Sequence, residues 1–411
     1  MMIINNFYIF LFAAIPLAVI IGPTVSTTLV ALIIIVFLCN CFIKKDFKIF
    51  FQKELIILYF VYAYLIFNLF ISIDIENSSP RNIGFLRHIL LVGATIYLIN
   101  NFKDYEKLFL IWSLILSIVV FDIYVEFFYG KNLLGYSGSE GYWGKRIVSF
   151  FKNEQIVGGF VYSFSIILLG FLFQFNKKKF KLLNYIIPLI FLFAILITGE
   201  RANFLKSLIG VVLFFIITKE ISLKKKLIFF ILILTTTFFG INSSKYLKTR
   251  FEGQFLTNFK TFDNMKEFYN NSLYFKLYRG GYKVFNENKV FGVGNKNFSQ
   301  ACYEKFNHEY KYDKNLNYVC STHPHQIYME LISEHGIVGL IIILLCIFYL
   351  LIKNIFIYIK FRNNLHLGTI IYVLLNFLPL IPTGSFFTNL NSTIFWLNFS
   401  LMIALGKKIS K

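Results

Sequence analysis

The residues with the clearest chemical potential are two histidines in the segment Thr322–Gln326, which reads Thr-His-Pro-His-Gln. Proline suits the first position of an α-helix, so a helix that begins at Pro324 would hold His325 in its first turn. The positive end of the helix dipole disfavours the charged imidazolium and keeps the ring available as a general base. His323 would then lie outside the helix and point elsewhere, in a supporting role. The simpler alternative is that the two histidines only cap the helix.

Two acidic residues follow at helical spacing. Glu330 and Glu334 are four residues apart and lie beyond His325 in the chain, so they share one helix face. They could orient a histidine or bind a sugar, or they could be ordinary residues of a helix at a membrane interface. The five cysteines show no Cys-x-x-Cys motif or Cys/His spacing typical of a zinc site, so we expect no structural metal.

Two arginines lie in short motifs elsewhere. Arg201 ends the motif Thr198–Arg201, which reads Thr-Gly-Glu-Arg, and Arg279 is followed by two glycines. The planar guanidinium binds phosphate through paired hydrogen bonds, which lysine cannot do. Arg201 could instead be an anchor at the membrane interface, and Arg279 a surface residue of a loop. Gly292 and Gly294 lack the third glycine and the βαβ unit of a nucleotide-binding fingerprint.

The composition indicates the setting in which these residues act. Hydrophobic residues make up 57% of the 411 residues and charged residues 15%, against about 25% charged in a soluble domain. The 41 Lys and Arg exceed the 21 Asp and Glu, which gives a net charge of +20. The composition excludes a soluble enzyme, a disordered protein and a secreted disulfide scaffold. Because the lysines occur in short runs between apolar stretches, the charge indicates a multi-pass membrane protein and no nucleic-acid partner.

The apolar stretches predict an all-α membrane protein with about 12 transmembrane helices, because each crossing needs about 20 apolar residues. The predicted spans are 6–22, 24–43, 54–73, 83–100, 107–128, 154–175, 182–199, 203–218, 226–242, 328–352, 366–382 and 391–406. The first two are separated only by Gly22 and Pro23, so they form either one broken helix or a tight hairpin. With the N-terminus inside, the inner segments hold 20 Lys and Arg and the short outer loops hold 6. The positive-inside rule therefore predicts that both termini are cytoplasmic.

A long hydrophilic segment, residues 243–326, interrupts the alternation of spans and short loops on the outer side. Its 13 Lys and Arg and 7 Asp and Glu give a net charge of +6. This charge suits an anionic partner such as a pyrophosphate, although lysine is abundant throughout the chain. Cys302 and Cys320 both lie in the segment. In an oxidising compartment the pair predicts a disulfide that staples the lysine-rich stretch before the histidines.

Together these motifs resemble the O-antigen ligase/polymerase family of bacterial membrane proteins, which are lipid-linked glycan transferases. The matches, mainly within residues 146–340, are Thr198–Arg201 with Leu205, the block Arg279…Gly292-Val293-Gly294…Phe298, the spacing His325-Gln326-x9-Gly336-x-x-Gly339, and the long segment before that last motif. A further likeness is Arg146…Phe150-Phe151-Lys152-Asn153-Glu154, in which Lys152 and Glu154 depart from the family's usual residues.

The resemblance implies a GT-C-like membrane glycosyltransferase that takes its glycan from undecaprenyl pyrophosphate and needs no cofactor or divalent metal. Arg201 and Arg279, with Arg146 as a third, would hold the pyrophosphate leaving group. His325 would deprotonate the acceptor hydroxyl on the opposite face of the sugar, which gives inversion by direct displacement. The site would lie on the periplasmic face of the bacterial inner membrane.

The same architecture divides the chain into four parts. These are amino-terminal transmembrane helices (1–145), transmembrane helices of the ligase-type core (146–242), a periplasmic loop domain (243–326) and carboxy-terminal transmembrane helices (327–411).

Several functions fit this architecture. The predicted one is an O-antigen ligase that transfers glycan to lipid A–core, since the spans and the Arg201 and His325 motifs look like the ligase branch. A polymerase would use a second lipid-linked glycan as acceptor, and another relative would use protein hydroxyls. A transporter would need charged or broken helices near the bilayer midplane, and intramembrane charge is sparse, with Arg87 and Lys206 inside predicted spans.

Overall fold

The structure, a computed structural model, describes residues 2–138, 140–141, 144–152, 154–175, 182–253, 269–270, 272–304 and 318–411. In these residues the regular structure is helical apart from one short antiparallel pair, β1 (Glu140–Gly141) and β2 (Gly144–Lys145). The α-helices are α1 (Met2–Ala13), α2 (Ile15–Ile21), α3 (Pro23–Lys44), α4 (Lys53–Phe70), α5 (Ile75–Gly84), α6 (Leu86–Asn101), α7 (Glu106–Tyr129), α8 (Val157–Phe175), α9 (Leu183–Ile197), α10 (Arg201–Ile217), α11 (Leu223–Asn242), α12 (Lys245–Lys248), α13 (Leu273–Glu287), α14 (Ile327–Phe361), α15 (Asn364–Asn376) and α16 (Asn389–Ser410). Short 3₁₀ helices at Lys48–Phe51 and Ser149–Phe151 and a π-helical turn at Thr249–Gly253 lie in the connections.

Many of these helices have the length and composition of membrane spans. Within the described residues, seven are long and apolar enough to cross a membrane: Pro23–Lys44, Lys53–Phe70, Ile75–Asn101, Glu106–Tyr129, Val157–Phe175, Leu223–Asn242 and Ile327–Phe361. Each predicted span overlaps one helix or two consecutive helices. The predicted helical architecture is confirmed and is that of a membrane protein, whereas the count of 12 crossings and the periplasmic position of the long loop stay predictions.

Apolar side chains cover the outside of the bundle as well as its core. Leu114 in α7, Leu234 in α11 and Leu345 in α14 expose 63, 69 and 66% of their surface. Exposure of large apolar side chains on helix after helix is unfavourable in water, whereas lipid tails solvate them. These faces are therefore the lipid-facing surface.

The core lies around α6, α8, α15 and α16, whose residues are mostly buried. Helices α8 and α15 approach closely because each presents a glycine to the backbone of the other. A Cβ atom at Gly170 would lie 2.4 Å from the Asn364 carbonyl oxygen, and one at Gly368 would lie 2.7 Å from the Ile166 carbonyl oxygen. Small residues at such crossings allow the van der Waals contact that holds membrane helices together.

The break between the first two predicted spans makes a hairpin. Gly22 has φ +147° and ψ 170°, and Pro23 begins α3, where proline needs no helical donor. Helix α1 packs against α3, which a single broken helix running on in one direction would not allow. The hairpin is therefore the correct one of the two alternatives.

Helix α14 is broken at Gly336, where φ is +64° and ψ is −171°. Backbone groups on both sides of the break pair with residues 288–294: Ile337 N donates to the Lys289 carbonyl, and Gly294 N to the Glu334 carbonyl, both at 2.9 Å. Part of the long loop is thus inserted into the bundle, where it satisfies groups that the break has freed.

The close approach at this break requires glycine. A Cβ atom at Gly336 would lie 2.3 Å from the Val290 carbonyl oxygen, and one at Gly292 would lie 2.4 Å from the Glu334 carbonyl carbon. The glycines of the two sequence motifs therefore have a structural reason, since they allow the loop and α14 to interlock.

The predicted span 366–382 extends too far. Helix α15 ends at Asn376, and Pro379 and Pro382 follow within residues 377–388, which we call the proline connection. Proline lacks the backbone donor that a helix needs and restricts the residue before it. The proline connection leads to α16 and contacts the start of α14.

Candidate functional site

His325 lies just before α14, which begins at Ile327. The Gln326 side chain accepts a hydrogen bond from Met329 N at 2.9 Å and caps the helix. His325 has φ +56°, in the left-handed region, which excludes it from the helix. The prediction of a helix that begins at Pro324 is therefore wrong, because the backbone turns at His325 and the helix begins three residues later than expected, at Ile327.

The two histidine rings stack on each other. The centroids of His323 and His325 are 3.9 Å apart, with an interplanar angle of 35°, so the prediction that His323 points elsewhere is wrong. Burial lowers the pKa of His325. Burial, and after it the neighbouring His325, lowers the pKa of His323 to about 4. Both rings are neutral at neutral pH through burial rather than through the helix dipole, and the low pKa of His323 makes that ring a poor general base.

Glu330 anchors the proline connection to α14. Its buried carboxylate accepts hydrogen bonds from Ser385 Oγ at 2.5 Å and from Phe386 N at 2.8 Å. In the same connection, Thr383 N donates to the His325 carbonyl at 2.9 Å. Glu330 therefore holds the element that restrains the backbone of His325, without a described contact to either imidazole.

Glu334 lies one turn further along α14, buried beside an arginine that the sequence did not single out for chemistry. Its Oε2 is 3.9 Å from Arg81 Nη1, and the same Nη1 donates to Asn295 Oδ1 at 3.3 Å. The next residue, His335, is buried, and its carbonyl accepts from the Tyr64 hydroxyl at 2.6 Å. These contacts fasten α14 to α4 and α5 next to the break.

The motif Thr198–Arg201 forms the turn between α9 and α10, and its glutamate folds back onto the start of α8. The Glu200 carboxylate accepts hydrogen bonds from Gly158 N at 2.7 Å, Gly159 N at 3.0 Å and Asn203 Nδ2 at 2.6 Å. Burial raises the pKa of Glu200, whereas these hydrogen bonds act to lower it. Glu200 thereby fixes the following arginine, the first residue of α10, beside the first turn of α8.

Three arginines, Arg146, Arg201 and Arg250, converge beside this turn, and we call them the arginine cluster. Arg250 Nε donates to the Gly199 carbonyl at 3.2 Å. Burial lowers the pKa of Arg250, and the positive charges of Arg146 and Arg201 lower it further. Arg146 also lies near the Glu200 carboxylate. Because three cations at close range repel one another, the cluster favours a multiply charged anion.

Two tyrosines border the arginine cluster. Tyr246 and Tyr274 lie close enough to Arg250 and Arg201 to interact with them electrostatically. Burial raises the pKa of Tyr246, whereas the charges of Arg250 and Arg146 lower it. Phenol hydroxyls can donate hydrogen bonds to anionic oxygens, as arginines do. The two tyrosines therefore add hydrogen-bond donors for an anion beside the arginine cluster.

Helix α13 connects this cluster to the histidines. Tyr274, in its first turn, borders the cluster. Seven residues later, a Cβ atom at Gly281 would lie 3.0 Å from Pro324 Cβ and 3.1 Å from Met329 Cβ. Seven residues of α-helix rise about 10 Å, so the arginine cluster and the histidine segment lie about two turns apart along α13.

Arg279 lies on α13 between these two points. Its Nη1 and Nη2 donate to the carbonyls of Tyr269 at 2.7 Å and Asn270 at 2.9 Å, and the guanidinium lies 4.6 Å from the Tyr269 ring centroid. Of the three arginines chosen from the sequence, the structure thus brings Arg146 and Arg201 together. The described contacts of Arg279 instead hold residues 269–270 against α13.

A disulfide restrains the segment that leads to the histidines. Cys302 and Cys320 are joined, with 5.7 Å between their Cα atoms. They pack with Phe298 and Tyr318 in a small core of their own. The lysine-rich residues 305–317 between them lie outside the described residues.

The side chains of the described residues contain no group of three or more His, Cys, Asp or Glu that could hold a metal ion. The charges of the candidate site are instead those of its arginines.

Residues 186–344 match the family model for O-Antigen ligase. The chain carries an O-antigen ligase domain. The resemblance seen in the sequence is confirmed for this range, which includes Arg201, Arg250, Arg279 and His325. The domain's family consists of glycosyltransferase-type enzymes. A search of curated proteins found no match to the chain.

Sequence reasoning missed Arg250. It is one of the 13 basic residues of the segment 243–326 and stands in no motif. Only its position a few residues after α11, close in the chain to the outer end of a predicted span, set it apart from the others.

Proposed function

We propose that this protein is an O-antigen ligase, a metal-independent inverting glycosyltransferase that moves a glycan from undecaprenyl pyrophosphate to lipid A–core. The observation that carries the proposal is the arginine cluster beside the first turn of α13, with a neutral histidine pair about two turns away along that helix. The O-antigen ligase domain, which contains Arg201, Arg250 and the histidine pair but not Arg146, supports the general reaction.

The arginine cluster would hold the pyrophosphate of the donor. When the bond between the sugar C1 and the phosphate oxygen breaks, negative charge grows on the pyrophosphate. Preorganised cations in a partly buried site stabilise that charge more than water does, and Arg250 exposes only 5% of its surface. Arg279 is proposed to act beside the cluster, from α13.

His325 would act as the general base. It would accept the proton of the acceptor hydroxyl while that oxygen attacks C1 from the face opposite the pyrophosphate, so the configuration at C1 inverts. Burial lowers the pKa of His325, which keeps the ring neutral before the reaction. The stacked His323 would keep the His325 ring in place, while Glu330 and Glu334 would hold the elements around them.

The site is proposed to face the periplasm, with both termini in the cytoplasm of a cell that carries the protein in its inner membrane. The 20 to 6 distribution of basic residues supports this orientation. At the end of the bundle opposite the arginine cluster, Lys353 and Lys407 both pair with Glu54, at 2.6 and 2.7 Å, as expected for the lysine-rich cytoplasmic side.

A transfer assay tests the proposal directly. The purified protein in detergent, given lipid-linked donor and lipid A–core, should form product in the presence of EDTA. His325→Ala should form none at normal abundance, whereas Glu252→Gln, which changes a partly exposed side chain, should match wild type. Full activity of His325→Ala, or complete inhibition by EDTA, would contradict the proposed chemistry.

The acceptor is decided by the glycans of a deletion strain. Core-only lipopolysaccharide with accumulated lipid-linked polymer is the expected result for a ligase. A single repeat unit on the core would instead assign the polymerase reaction, in which the acceptor is a second lipid-linked glycan.

A further inference from the structure

Arg146 is carried by a loop that two buried carboxylates of α7 hold in place. The loop leaves α7 after Tyr129, forms the β1–β2 pair with Glu140 opposite Lys145, and reaches Arg146 one residue after β2. The loop lies outside residues 186–344, the range that matches the O-antigen ligase model.

Glu126, in the last turn of α7, closes the base of this loop from both sides. Its carboxylate accepts hydrogen bonds from Gly138 N at 3.2 Å, Val148 N at 3.1 Å and Ser149 N at 2.6 Å. Gly138 packs directly on the backbone of Arg146, since a Cβ atom there would lie 1.7 Å from the Arg146 carbonyl oxygen. The segments on the two sides of the β1–β2 pair are therefore joined through one carboxylate, with Arg146 between Gly138 and Val148 in the chain.

Asp122, one turn earlier in α7, bonds to the same end of the loop. It accepts from Leu133 N at 2.8 Å and from Ser149 Oγ at 2.6 Å, and Asn132 Nδ2 donates to the Ser149 carbonyl at 2.6 Å. Ser149 has φ +49°, a left-handed conformation that is unfavourable for a residue with a Cβ atom. The N–H, the carbonyl and the hydroxyl of Ser149 all form hydrogen bonds. Glu126 and Asp122, which accept two of them, hold the Ser149 backbone in this conformation.

We infer that Glu126 is a positioning residue for donor binding, which acts by holding Arg146 in the arginine cluster. Arg146 reaches Glu200, Tyr246, Arg201 and Arg250 from a loop rather than from a helix. A cation on a loop gives directed binding only if the loop has one conformation. The inference rests on the proposed function of the cluster.

The test is a double-mutant cycle on donor binding, measured with undecaprenyl pyrophosphate that carries no glycan and protein in lipid nanodiscs. Glu126→Gln keeps the shape of the side chain but replaces one acceptor with a donor. It should raise the Kd at least about threefold, as directly coupled residues do, and by no more than Arg146→Ala does. In the Arg146→Ala background, Glu126→Gln should have no further effect. Glu106→Gln, at the other end of α7, serves as the matched control and should leave the Kd unchanged.

Three results would overturn the inference. An equal rise of the Kd in the wild-type and Arg146→Ala backgrounds would show that Glu126 acts independently of Arg146, and an unchanged Kd would show that it does not act at all. If Arg146→Ala itself binds like wild type, the arginine cluster is not the donor site, and the proposed function fails first. Should Glu126→Gln not fold, Glu126→Asp, which keeps the charge but shortens the side chain, runs through the same cycle with the same criteria.

Discussion

Replacing Glu200 with glutamine should destabilise the turn that carries Arg201. The Glu200 carboxylate accepts three hydrogen bonds, from Gly158 N, Gly159 N and Asn203 Nδ2, at 2.7, 3.0 and 2.6 Å. Glutamine has nearly the same shape, but only one of its two terminal groups is an acceptor. In either orientation, its NH₂ group faces at least one donor that the carboxylate now satisfies.

The size of the effect follows from these contacts. At least one hydrogen bond to a charged acceptor is lost at a buried position, which costs about 1.5–3 kcal/mol of unfolding free energy. Glu200→Ala removes the acceptor for all three donors, so it should cost more than Glu200→Gln. Donor affinity should fall in both variants, because the arginine after Glu200 belongs to the arginine cluster.

Thermal unfolding of the purified protein in detergent measures the stability difference. The matched control is Glu252→Gln, since the Glu252 side chain is partly exposed and its Oε2 lies 3.9 Å from Lys248 Nζ, a solvent-accessible pair worth about 0–1 kcal/mol. The reasoning is refuted if Glu200→Gln melts at the same temperature as Glu252→Gln. If stability falls while donor affinity does not, Glu200 holds the helices together without positioning the arginine.

Three further predictions concern the chemistry of the site. Because burial lowers the pKa of His325 from its reference of about 6.5, the ring stays neutral until the pH falls through the lowered value. The transfer rate should therefore hold below pH 6.5 and be lost only at more acid pH; a loss that begins above pH 6.5 contradicts the assignment. Arg250→Lys keeps the charge but loses the planar fork, so the KM for donor should rise about tenfold, or ~1.4 kcal/mol, and an unchanged KM would place the pyrophosphate elsewhere. Cys302→Ser should lower transfer by loosening the segment before the histidines, and mass spectrometry of unreduced wild-type peptides should find Cys302 joined to Cys320; alkylation of both without reduction would argue against the bond.

The helices were predictable from the sequence because their cause is local. A run of about 20 apolar residues has only one stable backbone arrangement in lipid, since every N–H and carbonyl must be satisfied within the helix. The same reasoning failed at the ends. It extended α15 past Asn376 to residue 382, and it began α14 at Pro324 rather than at Ile327, because the stops depend on caps and on contacts with other segments.

The candidate site also has a part that local sequence predicts and a part that it does not. Residue types and motif spacing predict Arg146, Arg201, Arg279 and His325 as site residues, because phosphate binding and proton transfer demand particular side chains, and the structure brings Arg146 and Arg201 together. The sequence does not show that Arg250 joins Arg146 and Arg201. Their convergence depends on how α8, α10 and the turn after α12 pack together.

The helices and the family of the O-antigen ligase domain therefore follow from local runs and motifs in the sequence. Three features do not follow from the local sequence: the stacking of His323 on His325, the setting of Arg279 against residues 269–270, and the insertion of residues 288–294 at the Gly336 break. The contacts of Arg279 and the inserted residues join separate segments, and the histidine stacking accompanies the left-handed turn at His325. Hydrogen bonding and packing between separate segments have no signature in the local order of residues.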